Sequence, residues 1–219
     1  MTFAQLEKAA NARHLTILGG FHPTSGDTTL EGCKTLLLLG PDEPSFWPSF
    51  TRSAEWHDHT PDPMDRWSAR VVGEWAENLE AVAHFPFGGA PFKPFYSWAL
   101  QTGRIHRSPV QLLVHDRAGL FVSFRAALAL PLHIDLPAAP PPNPCEACAD
   151  QPCRTACLSD ALTPAGYDVP KCKGFLGTPS GAQNLASGCA VRRSCPVSQK
   201  YFRLPAQSAY HMQQFTGGT

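Results

Sequence analysis

Seven of the eight cysteines in this 219-residue chain fall between Cys145 and Cys195, and the other is Cys33. The run is Cys145-x2-Cys148-x4-Cys153-x3-Cys157, followed by Cys172, Cys189 and the dipeptide Cys195-Pro196. Such a segment folds around whatever its thiols share. Closely spaced cysteines on tight turns point several thiolates at one body, and a distant cysteine followed by proline completes the set. Bacterial ferredoxins use Cys-x2-Cys-x2-Cys-x3-Cys-Pro, in which the fourth cysteine serves a second cluster. Here the second gap is two residues longer, and Leu158 stands where the proline would be. The spacing assigns Cys145, Cys148, Cys153 and Cys195 to one 4Fe–4S cluster. Cys157, Cys172 and Cys189 remain, one thiolate short of a second cubane. They suit a 3Fe–4S cluster, a 4Fe–4S cluster with one ligand that is not cysteine, or a vestigial site. Zinc also takes four thiolates, but its sites usually carry two Cys-x2-Cys pairs and only one is present. Disulfides are the third alternative.

Hydrophobic content of 43% is enough for a core without covalent staples. Lys plus Arg and Asp plus Glu both number 18, so no charge excess points to nucleic acid or an anionic membrane. The N-terminus lacks a basic segment followed by an apolar one, and the longest apolar run, Leu36–Leu39, cannot span a bilayer. The expectation is a cytoplasmic protein, where clustered cysteines bind metal or do redox work more often than they form disulfides.

The remaining sequence reads as an α+β domain over residues 1–140. A helix is expected from Thr2 to Ala12, with Thr2 as cap. A strand is expected at His14–Leu18, ending at Gly19-Gly20, and a buried strand at Cys33–Leu39 with Cys33 packed in the core. Residues 41–61 read as irregular. Asp62 as cap, Pro63 at the first position and the stripe Met64, Trp67, Val71, Trp75, Leu79, Val82 predict a long helix. Phe85–Pro91 is a glycine-bearing loop, and Phe92–Thr102 a short helix. Val110–His115 and Leu120–Leu130 read as strands paired through a turn at Asp116–Gly119, with Arg125 on the solvent face. The proline-rich stretch Pro137–Pro144 reads as a linker. Residues 141–219 then form the cysteine segment, closed by a helix over Ala206–Phe215.

With these motifs in place, the chain resembles two groups of one corrinoid-handling superfamily. Gly32-Cys-Lys-Thr-Leu-Leu-Leu-Leu39, Arg107–His115, Ala118–Arg125 and Asp62-Pro-Met-Asp65 resemble CblC-type cobalamin-processing proteins. Cys145–Cys157, Lys171-Cys172 and Gly188-Cys189 to Cys195-Pro196 resemble epoxyqueuosine reductase and the reductive dehalogenases. The resemblance implies a flavin-nitroreductase-like mixed sheet with helices, followed by a small ferredoxin-like segment. It implies a corrinoid, or as second choice FMN, bound by Phe87, Gly88, Gly89, Arg104, His106, Ser108 and Gln111. The implied function is an iron–sulfur corrinoid reductase: a redox partner protein donates electrons, and cobalt is reduced or loses its upper ligand. A ferredoxin-like carrier and a corrinoid chaperone with a structural cluster are the alternatives. No acid stands in Phe85–Gly89, where epoxyqueuosine reductases carry theirs, and Arg192 stands near the place of a second-cluster ligand.

Overall fold

The computed structural model describes residues 1–24, 28–138, 141–163 and 166–217. In chain order the elements are α1 (Phe3–Asn11), β1 (Leu15–Phe21), β2 (Thr35–Pro41), α2 (Phe46–Phe50), α3 (Ala54–His57), α4 (Pro63–Asn78), β3 (Val82–His84) and α5 (Phe95–Gln101). They continue with β4 (Ile105–Arg107), β5 (Leu113–His115), β6 (Ala126–Leu130), β7 (Leu162–Thr163), β8 (Gly166–Tyr167), α6 (Val169–Leu176), α7 (Ala182–Ser187), α8 (Ala190–Ser194) and α9 (Pro205–Thr216). The protein is mixed α+β with antiparallel sheets. No helix among the described residues is long and apolar enough to cross a membrane.

The chain forms two compact units. The first comprises Met1–Arg104 and Ser123–Pro141, the second Ile105–Val122 and Pro142–Thr219. Residues 105–122 therefore group with the cysteine segment and not with the domain that precedes them in sequence.

The first unit is a sheet of order β1-β2-β6-β3. Every residue of β2 and β6 is buried. These are the two inner strands, so both faces are covered and a continuous apolar run is the pattern they require. Leu37 lies opposite Leu128, and Leu39 opposite Ala126. Helix α1 begins with the expected cap: the Gln5 N–H donates to Thr2 Oγ1 and the Thr2 N–H to Gln5 Oε1.

Several expectations are corrected. Strand β1 does not end at Gly19-Gly20. It runs through them with a register shift between Ile17 and Gly19, and a Cβ on Gly20 would stand 2.6 Å from Leu37 Cδ2. The glycines thus serve close packing. Cys33 is half-buried and precedes β2. Residues 41–61 hold α2 and α3, whose aromatic rings make their own core: Phe46 meets Trp67 edge-on at 5.3 Å and Phe50 meets Trp56 at 5.2 Å. Asp62 adopts a left-handed conformation and makes no side-chain cap. The start of α4 is held instead by Arg66, which forks onto Asp58 at 2.7 Å and donates to the carbonyls of Pro61 and Thr60. Helix α4 buries Met64, Trp67, Val72, Trp75 and Ala76, one position away from the predicted stripe at Val71. It stops before Leu79, and Val82 is exposed on β3. Arg125 is not on a solvent face; it is largely buried and pairs with Asp65 at 3.3 Å.

The second unit opens on the hairpin β4–β5, with His106 opposite Val114. The predicted pairing of Val110–His115 with Leu120–Leu130 is not formed. Strand β5 pairs with β4, and β6 belongs to the sheet of the first unit. The loop after β5 winds around buried His115. Its Nδ1 accepts from the N–H groups of Arg117 and Ala118, so Nε2 carries the proton and donates to Asp116 Oδ1 at 3.0 Å. The backbone of Leu120 is committed elsewhere. Its N–H donates to Ser198 Oγ, and its carbonyl accepts from the Arg192 guanidinium. It has nothing left for a ladder, and β6 begins only at Ala126.

Candidate metal centre

Each cysteine of the run is placed by a local device. Asn143 Oδ1 accepts from the Cys145 N–H at 3.0 Å and its carbonyl from the Glu146 N–H, an Asx turn that starts the loop. Gln151 is left-handed, with φ +39°, and reverses the chain ahead of the short 3-10 turn Pro152–Arg154 that holds Cys153. Pro196 fixes Cys195 in an extended conformation, because a residue before proline avoids the helical region. Helix α8 therefore stops at Ser194 and Cys195 leaves its axis.

Cys145, Cys148, Cys153 and Cys195 line one cavity of about 500 Å³. Val114 and Leu120 form part of its apolar wall, with Ser108 and Asp150 among its polar lining. Cys153 and Cys195 are 8% and 9% exposed and sit in one apolar cluster with Val110, Val114, Leu120 and Val191. Burial and the charges of Cys153, Cys195 and Cys148 push the Cys145 thiol up to about 11. Burial, Cys195 and Cys148 push Cys153 up in the same way. Four mutually repelling thiolates in an apolar pocket are unfavourable alone and become favourable around a positively charged body.

The thiols do not converge on one point. Among the described residues, no three His, Cys, Asp or Glu side chains stand close enough to share one metal ion. A multinuclear cluster takes one thiolate per iron, and four thiols lining one cavity are a donor set of that kind. Cys145, Cys148, Cys153 and Cys195 would hold it.

A second group is formed by Cys157, Cys172 and Cys189. Burial raises the Cys172 thiol, the Tyr167 hydroxyl hydrogen-bonded to it lowers it, and the charges of Cys189 and Cys157 raise it further. Cys172 sits in the first turn of α6, capped by Asp168, whose side chain accepts from the Lys171 N–H. Cys157 differs: burial works against its thiolate, but the backbone at Leu162, Ser159 and Ala161 and the Ser159 hydroxyl bring it below its ordinary value. Arg192, the residue near the expected fourth ligand, extends to the Leu120 carbonyl.

The seven residues expected around a corrinoid fall in both units. Phe87, Gly88, Gly89 and Arg104 belong to the first, His106, Ser108 and Gln111 to the second. Phe87 stacks on Phe85 at 5.1 Å, and Gly88 and Gly89 have open space where a Cβ would be. Arg104 lines a cavity of about 260 Å³ with Gly19, Gly20 and Thr102. His106 lies on β4 with a buried, unpartnered Nε2. Gln111 is left-handed at the hairpin tip, where its N–H donates to the Ser108 carbonyl. Ser108 lines the four-cysteine cavity. Sequence reasoning missed Leu120 and Ser198, which carry no motif. The one available signal was the position of Ser198 just after Cys195-Pro196.

No family model, curated protein or solved structure matches the chain.

Proposed function

We propose that this protein is an iron–sulfur redox protein that passes electrons to a corrinoid. One observation carries the first half. Four cysteines from two separated stretches, Cys145–Cys153 and Cys195, line a single, mostly apolar cavity. When bound there, a 4Fe–4S cluster supplies reversible one-electron transfer. The chain supplies thiolates in fixed turns, an apolar wall that includes Val114 and Leu120, and a loop after β5 that Ser198 and Arg192 hold to the cysteine segment.

The corrinoid half rests on the CblC-like and epoxyqueuosine reductase-like stretches of sequence. On this reading the first unit is nitroreductase-like and the second ferredoxin-like, and the natural task is cobalt reduction or removal of an upper ligand, as an enzyme served by a donor protein. A carrier without its own substrate is the second reading. It is favoured by the place of Ser108, which lines the cysteine cavity.

Titration of anaerobically purified, iron-loaded protein with cob(III)alamin, and separately with FMN, decides between them. Saturable corrinoid binding followed by cobalt reduction on addition of a reduced donor is the expected result. Full iron with no binding of either cofactor leaves the carrier.

A further inference from the structure

Ser108 lines the four-cysteine cavity and is 4% exposed, and its hydroxyl oxygen is buried without a hydrogen-bond partner. Its backbone gives it no freedom to leave. The Ser108 N–H donates to the Leu112 carbonyl at 2.8 Å and its carbonyl accepts from the Gln111 N–H at 3.0 Å, closing the turn between β4 and β5. A buried hydroxyl with no partner costs roughly 1–3 kcal/mol, and folded proteins rarely leave one. An occupant of the cavity that accepts hydrogen bonds removes that cost. Thiolate and sulfide sulfurs are acceptors only, and a serine hydroxyl has one proton to give.

We propose that Ser108 donates an O–H···S hydrogen bond to the sulfurs of the cluster held by Cys145, Cys148, Cys153 and Cys195, and so sets its reduction potential. This rests on the reading of the cavity as a cluster site. Reduction adds negative charge to the sulfurs, so a hydrogen bond donated to them stabilises the reduced state more than the oxidised one. Hydrogen bonds to cluster sulfurs are among the factors that set such potentials. Asp150, which also lines the cavity, acts in the opposite sense when charged. Ser108 is a positioning and tuning residue on this account, and binds no iron itself.

The test compares wild type with Ser108→Ala and with the matched pair Ser108→Thr and Ser108→Val, all purified anaerobically. Iron and acid-labile sulfide are counted, and the midpoint is read by EPR-monitored redox titration. Ser108→Ala and Ser108→Val should keep the iron and shift the midpoint to more negative potential, while Ser108→Thr stays near wild type. Thr and Val have nearly the same shape, so their comparison isolates the hydroxyl even if the Ala variant loads poorly. Equal midpoints for Thr and Val at full iron content overturn this inference alone. Wild-type protein without iron or sulfide overturns the cluster reading beneath it.

Discussion

The backbone N–H of Leu120 donates to Ser198 Oγ at 2.8 Å, within the second unit. This bond joins the loop that follows β5 to the turn that follows Cys195-Pro196. Gly119 fits the same junction only because it is glycine: its φ is +56°, and a Cβ would stand 2.4 Å from the Ser198 nitrogen. The wall of the cavity and the segment that carries Cys195 are therefore held in register by a contact that no cysteine makes.

Ser198→Ala leaves the Leu120 N–H buried without a partner, which should cost roughly 1–3 kcal/mol. Gly119→Ala adds a left-handed penalty of about 1–2 kcal/mol to the clash with Ser198, and should be the worse of the two. Chemical denaturation followed by circular dichroism gives the losses, and hydrogen exchange at the Leu120 amide locates them. Unchanged protection at Leu120 in Ser198→Ala would contradict the assignment.

In iron-free protein the thiols should differ in reactivity. The thiolate is the reactive form. With its thiol at about 11, Cys145 is ionised in only about one molecule in a thousand at about pH 8. Cys157, brought below the ordinary 9.0, carries far more thiolate. Iodoacetamide should modify Cys157 well before Cys145, as read by peptide mass spectrometry. The reverse order would show that the backbone around Cys157 does not stabilise its charge.

The first unit should show an acid dependence from Asp58. Hydrogen bonds from Arg66 and from the Thr60 N–H hold its carboxyl at about 2, against an ordinary 3.8. A carboxyl depressed in the folded state contributes stability above its unfolded value and loses it as pH falls to the folded one. Asp58→Asn should therefore destabilise the protein at about pH 5, with the difference from wild type shrinking as pH falls toward about 2. Tryptophan fluorescence follows this unfolding, since Trp56 and Trp67 lie in the adjoining aromatic core. A difference that does not change with pH would mean that Asp58 acts through packing and not through charge.

The sequence was most legible where local chemistry decides the outcome. Thr2 and Gln5 cap α1, Leu36–Leu39 form a buried strand, and α9 follows Leu204, because each depends on neighbours a few residues away. That Cys145, Cys148, Cys153 and Cys195 share one cavity was legible for a related reason: thiols are rare enough that their spacing carries meaning. Asp62 failed as a cap because Arg66 gathers Asp58, Thr60 and Pro61 into a different start for α4. The hairpin failed because the partners of Leu120 are Ser198 and Arg192, more than seventy residues away and without periodicity. Ser108 was read as a cofactor residue of the first domain, and only the fold shows that its turn belongs with the cysteines.

On the proposed reading, Cys195 completes a ligand set with Cys145, Cys148 and Cys153. Iron, acid-labile sulfide and zinc should be counted in anaerobically purified wild type, Cys195→Ser and Cys33→Ser. Wild type should hold iron and sulfide in equal amounts, Cys195→Ser should lose about four of each, and Cys33→Ser should lose none. Cys195→Ser with its full wild-type iron and sulfide, or wild type with zinc and no sulfide, would contradict the account.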